Sequence, residues 1–159
     1  MFSLAIAGGI YLLDHKIKEY ADSHFLQGSN KKVLKDRLIL RNCHNKDTAF
    51  GAVKVGTENC QELSAAGLGC VLAEYWRQIF HGSKMGRIGL AMVLGGGFSN
   101  YMDRRNKGYV TDYVSFNVKK KEIRKMVFNI SDFCIIGGTV IWAIASLILS
   151  PKKQKKQEK

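Results

Sequence analysis

The chain has 159 residues and a formal net charge of +12, a length that favours one domain. A single proline, and sixteen glycines set within apolar runs, exclude a collagen-like or proline-rich disordered chain. Cys43, Cys60, Cys70 and Cys134 fall at no CxxC or metal-like spacing, so no disulfide framework, zinc site or other cofactor is expected.

The chain opens on an apolar run at 2–13 (FSLAIAGGIYLL), which lacks the basic start and small-residue cleavage site of a signal peptide. Ile17 and Tyr20 continue the pattern, so a helix over about 2–20 is expected. A long segment, 21–62, follows, with strand-like stretches at 38–40 and 50–55. The next run, 63–80, carries Glu74 and Arg77. In a bilayer a basic residue at the centre costs roughly 2.5–3.5 kcal/mol, so the two must face a bundle or lie near a helix end. A third helix is expected over about 86–102, where Gly95, Gly96 and Gly97 would let neighbouring helices come close. The loop 103–126 alternates over 109–118 as a strand does.

Residues 133–150 contain no charge, and eighteen helical residues reach about 27 Å against a hydrocarbon core of roughly 30 Å. Pro151 and the tail KKQKKQEK should end this helix, expected over about 127–150, and hold the C-terminus in the cytoplasm. The expected fold is a mainly α, polytopic membrane protein: one domain over 1–151, four transmembrane helices, a small β-containing region outside the membrane, and a basic tail at 152–159. The loops 15–50 and 103–126 are also rich in Lys and Arg, so charge alone leaves the topology open.

Acids at the edges of apolar runs carry the chemistry. Asp14, Asp103, Asp112 and Asp132 all sit there, and ionisable groups near membrane depth are usually functional. Asn100 with Asp103, and Asn129 with Asp132, repeat an Asn-x-x-Asp spacing that puts each pair on one helical face. Capping of helix ends is the competing reading of each pair. No HExxH, Gly-x-Ser-x-Gly or P-loop is present. Two nearby carboxylates can share a proton, one acting as base on water while the other protonates a leaving group.

The strings GGGFSNYMDRRNKGYVTDYVSF and VFNISDFCIIGG resemble the bacterial lipoprotein signal peptidase (signal peptidase II) family. The family's Asn-x-x-Asp-Arg falls on Asn100, Asp103 and Arg104. Its Gly-x-Val-x-Asp-Phe falls on Gly108, Val110, Asp112 and Tyr113, with a mild Phe-to-Tyr change. Its Phe-Asn-x-x-Asp falls on Phe128, Asn129 and Asp132. Upstream, Asp14 and Lys18 fit an Asp-x-x-x-Lys, and Asn45 and Phe50 fit an Asn-x-Gly-x-x-Phe in which Asp47 replaces the glycine.

The resemblance implies a membrane-embedded aspartic endopeptidase of the bacterial cytoplasmic membrane, with Asp112 and Asp132 as catalytic dyad and Asn129 positioning Asp132 or the substrate. Asn100, Asp103, Arg104, Asn45, Asp14 and Lys18 would line or brace the pocket. The implied substrates are prolipoproteins cut before a diacylglyceryl-modified cysteine. Besides them the expected partners are membrane lipids, with no nucleic acid, and the chain is expected to work as a monomer. Two other readings compete. A non-catalytic protein docking anionic lipid or a partner through basic loops explains the charge but gives Asp112 and Asp132 no purpose. A soluble nucleic-acid binder is suggested by pI alone and conflicts with the uncharged run at 133–150.

Overall fold

Helix α1, Phe2–His24, runs four residues beyond its expected end. The charges after Leu13 do not stop it because Asp14 and Lys18 turn inward and are 0 % exposed. The structure is a computed structural model; it describes the backbone of residues 2–46 and 57–157, and side chains over 2–46 and 59–148. The strand expected at 50–55 therefore lies outside the described residues, as do Asp47 and Phe50. Strands β1 (Asn30–Val33), β2 (Leu38–Asn45) and β3 (Val110–Phe116) form an antiparallel sheet in that order. Helices α2 (Thr57–His81), α3 (Lys84–Lys107) and α5 (Ile130–Gln157) complete the bundle, and a short α4 covers Lys121–Lys125.

Local chemistry explains the shifted boundaries. Ser83 Oγ accepts the Gly86 amide at 2.9 Å and caps the start of α3. Gly108, in the left-handed region at φ 76°, returns its amide to the Arg104 carbonyl and ends it. Asp103 thus sits within α3 rather than beyond it. Helix α5 starts at Ile130 rather than 127, because Asn129 caps it, and it continues through Pro151 to Gln157 rather than stopping at Ser150. A proline removes one amide from the ladder; here that loss does not end the helix.

Helix α3 is the centre of the bundle, with α1, α2 and α5 all packed on it. Its three consecutive glycines, about 100° apart around the axis, meet one neighbour each. A Cβ on Gly95 would stand 2.5 Å from the Ala7 carbonyl of α1, and one on Gly96 would stand 2.6 Å from the Ser131 carbonyl of α5. One on Gly97 would meet only the Leu68 side chain of α2, at 3.0 Å. The first two contacts are with backbone, which cannot swing aside. Gly96→Ala is expected to lower the melting temperature in detergent micelles, by the ~1–3 kcal/mol typical of overpacking, whereas Gly97→Ala should fall near wild type because Leu68 can change rotamer.

The architecture is mainly helical with a small antiparallel sheet, as expected. Among the described residues, however, one helix rather than four is long and apolar enough to cross a membrane by composition: Ile130–Ile148, with mean hydropathy 1.8. The other three long helices carry charged groups within their length. Burial runs opposite to that of a soluble domain. Asp14, Lys18, Asn100, Asp103 and Asn129 are buried, while Phe2, Leu13, Leu72, Trp76, Ile136, Val140 and Leu147 are exposed. Only 17 % of Ile130–Ile148 is buried, which is not the environment of a core helix.

Candidate active site

The site forms where β3 meets the start of α5. Tyr113 and Val114 both donate their amides to the Phe128 carbonyl, at 3.0 and 2.9 Å, and Phe128 returns its amide to Val114 at 2.7 Å. This short bridge brings Asp112 beside Asn129. The capping reading of Asn129 and Asp132 is met in the structure. Asn129 Oδ1 accepts the Asp132 amide at 2.9 Å, and Asp132 Oδ2 accepts the Asn129 amide at 3.1 Å, a reciprocal capping box. The two residues therefore meet around a helix cap, not side by side on a helical face.

The cap leaves Asn129 Nδ2 to donate to Asp112 Oδ1 at 2.7 Å and to Asn100 Oδ1 at 3.2 Å. Asn100 Nδ2 donates to Asp132 Oδ1 at 3.1 Å, and Asn45 Nδ2 donates to Asp112 Oδ2 at 3.1 Å. Each of the four carboxyl oxygens so receives at least one amide donor. Asn45 reaches Asp112 across the sheet. Cys43 is the direct partner of Asp112, and Asn45 lies two residues further along the same face, after a bulge between Leu40 and Cys43.

Behind the pair lies a buried ionic network. Lys18 Nζ contacts Asp14 Oδ2 at 2.8 Å, Asp103 Oδ2 at 3.1 Å, and donates to Asn100 Oδ1 at 2.7 Å. An ammonium group can only donate. It therefore fixes which end of the Asn100 amide faces it, and leaves Nδ2 for Asp132. Asp14 also accepts from Ser99 Oγ at 2.7 Å, Ser131 Oγ at 2.6 Å and Tyr113 Oη at 2.9 Å, joining α1, α3, β3 and α5. The Tyr113 hydroxyl in turn accepts the Ile130 amide at 2.9 Å. The Phe-to-Tyr change read as mild thus adds a hydroxyl at the hub. Asp103 also binds Lys107 at 3.1 Å and the Thr111 amide at 3.2 Å.

A cavity of about 400 Å³ reaches the pair from the helical side. Asn100, Arg104, Asp112, Asp132 and Asn45 occupy one end, and Leu63, Leu68, Val71, Val93, Ile135 and Ile136 make most of the rest apolar. Its floor is α3 and its walls are α2 and α5, with exposed Leu63 and Ile136 at the rim. The walls are tied by Trp142 Nε1, which donates to Glu74 Oε1 at 3.0 Å. Glu74 also binds Arg77 at 2.6 Å, so these two charges in the later part of α2 are partnered with each other. Asn45, Asn100 and Arg104 line this cavity, whereas Asp14, Lys18 and Asp103 stand behind it. Arg104 Nη1 donates to the Asn100 carbonyl at 3.4 Å.

Burial, and then the neighbouring Asp132 carboxylate, push Asp112 up to about 7. A carboxyl group that keeps its proton near neutrality beside a second carboxyl group is the arrangement for shared-proton chemistry. Among the described residues no cluster of His, Cys, Asp and Glu fit for a metal ion occurs.

Ser99, Ser131 and the cluster of Asp22, Lys107, Thr111 and His44 were not foreseen from the sequence. Asp22 binds Lys107 at 2.9 Å, Thr111 Oγ1 at 3.0 Å and His44 Nε2 at 3.2 Å, tying the end of α1 to the sheet. The serines adjoin residues of the two Asn-x-x-Asp pairs, which was the available signal.

Residues 6–148 match the family described as signal peptidase (SPase) II. The chain is 28% identical to the lipoprotein signal peptidase of Clostridium acetobutylicum over 153 residues, covering 96% of this chain and 97% of that protein. It is 30% identical to that of Coxiella burnetii over 151 residues, covering 91% and 88%. A solved structure described as a bacterial membrane enzyme, at 19% identity, superposes with a TM-score of 0.80 over 96% of this chain and 91% of that one, a likeness of fold.

Proposed function

This chain belongs to the signal peptidase (SPase) II family, and we propose from that premise that it is a membrane-embedded aspartic endopeptidase that cuts prolipoproteins before a diacylglyceryl-modified cysteine. The observation that carries this reading is the pair of acids, Asp112 and Asp132, held by neutral amides at the polar end of an otherwise apolar cavity open between helices. Amide donors orient the carboxyl groups, and the buried cation Lys18 reaches them through Asn100. A proton can then pass between the two acids and the substrate.

In this mechanism the dyad carries one proton. The ionised carboxylate takes a proton from a water molecule as the water attacks the scissile carbonyl, and the protonated partner hydrogen-bonds the carbonyl oxygen as charge develops there. Transfer of a proton to the leaving nitrogen then breaks the C–N bond. Apolar cavity walls suit the lipid and the signal peptide. The chain is one membrane domain over residues 1–151 with a tail at 152–159. Helices α1, α2, α3 and α5 cross the bilayer with their polar faces inward, both termini are cytoplasmic, and the sheet and dyad lie at the outer face. The lipid-docking alternative leaves the buried carboxyl pair without a role.

The test is cleavage of a diacylglyceryl-modified reporter by the purified chain in micelles, with an unmodified reporter beside it. Cleavage immediately before the modified cysteine, and much slower cleavage of the unmodified form, is expected. The rate should fall as pH rises through about 7, because the dyad then loses the proton that Asp112 holds. A rate that climbs steadily through that range would contradict the shared-proton mechanism.

A further inference from the structure

A second cavity, of about 320 Å³, lies on the other side of Asp112. Cys43, His44 and Asn45 of β2 and Lys125, Met126 and Val127 enclose it with Asp112. The two cavities share Asn45, Asp112 and Val127, so Asp112 stands in the wall between them, while Asp132 lines the first alone. The first lies among the helices and is mainly apolar. The second lies on the sheet side, away from the exposed apolar faces of the helices.

Given the proposed peptidase activity, on which this step rests, the substrate must divide at the dyad. Its lipid and signal peptide belong with the apolar cavity. The polar residues that follow the cysteine must leave toward water, and the second cavity adjoins Asp112 on that side. Lys125 lines it, and Lys119, Lys120, Lys121 and Arg124, just before it in the chain, are all exposed, with Glu122 the one acid of that stretch. On the opposite wall the His44 ring stacks on Tyr109 at 3.9 Å and directs Nε2 to Asp22, which also holds Lys107. Asp22 is thereby engaged away from the opening.

We infer that the cavity bounded by Cys43, His44 and Lys125–Val127 receives the first residues after the lipidated cysteine, and that Lys125 makes the enzyme favour acidic over basic residues there. One exposed ion pair is modest, so the preference for Asp over Lys should be about three- to tenfold in kcat/KM.

The experiment uses the full chain in micelles and three lipidated reporters that differ only at the second and third positions after the cysteine: Asp-Asp, Ser-Ser and Lys-Lys. The expected order is Asp-Asp, then Ser-Ser, then Lys-Lys, with the spread narrowing in high salt. Lys125→Glu should invert the Asp-to-Lys ratio, and Lys125→Gln should bring it near one. Both are read as ratios, so a variant that is partly misfolded still reports. Equal rates for the three reporters in wild type, or a ratio unmoved by both variants, would overturn the assignment while leaving the peptidase reading intact. If wild type cleaves no reporter, or Asp112→Asn cleaves as well as wild type, the peptidase reading itself falls and this inference with it.

Discussion

Asp112→Asn and Asp132→Asn are each expected to abolish measurable cleavage of a lipidated reporter, a loss of ~10²–10⁴ for removal of an acid–base group. The double variant should be no slower than the worse single, because the two act as one unit and such losses do not add. Kinetic additivity would mean two independent roles. Stability should separate the variants in a way activity does not. An Asn at 132 must turn an NH₂ toward either the Asn129 amide or Asn100 Nδ2. The first is backbone and the second is fixed by Lys18, so neither can turn away. An Asn at 112 faces two side-chain amides, Asn129 Nδ2 and Asn45 Nδ2, and no backbone amide among the bonds described. Asp132→Asn should therefore melt at a lower temperature in micelles than Asp112→Asn.

Lys18→Met is the second large effect. The change keeps most of the side-chain volume but leaves Asp14 buried without its cation, and Asp103 with Lys107 alone. Breaking a buried pair from one side typically costs ~3–5 kcal/mol, so a large fall in melting temperature is expected. Adding Asp14→Asn should recover part of it, because the uncompensated charge is then gone. Activity should not return with stability: without Lys18 the Asn100 Oδ1 keeps only the longer contact from Asn129 Nδ2, and the hold on Asn100 Nδ2 toward Asp132 is weakened. Full recovery of cleavage in the double variant would show that Lys18 acts on stability alone.

The sequence made the apolar runs, the strand around Asp112 and the acids themselves legible, because each is a local pattern. It did not reveal which acid does what. Asp14, read as the end of an apolar run, is a four-element hub, and its partners Ser99, Tyr113 and Ser131 are 85 or more residues away along the chain. Asn45 meets Asp112 only through a sheet register shifted by a bulge, which composition does not encode. Helix ends were misplaced where a side chain overrode propensity, as with the Asn129 cap. Four membrane-crossing helices were expected, but by length and composition only Ile130–Ile148 qualifies among the described residues, because α1, α2 and α3 carry charged groups that the apolar runs alone did not weigh.

The glycine triplet of α3 has a consequence for how the groove accommodates its cargo. Helices α1 and α5 rest on it main chain to main chain, like plates bolted to a spindle, so neither can shift without prying the joint apart. Helix α2 rests on it through the branched tip of Leu68, a contact that rotates instead of jamming. If the proposed activity holds, room for acyl chains of different girth is therefore expected at the α2 wall, with the size of residue 68 setting its width.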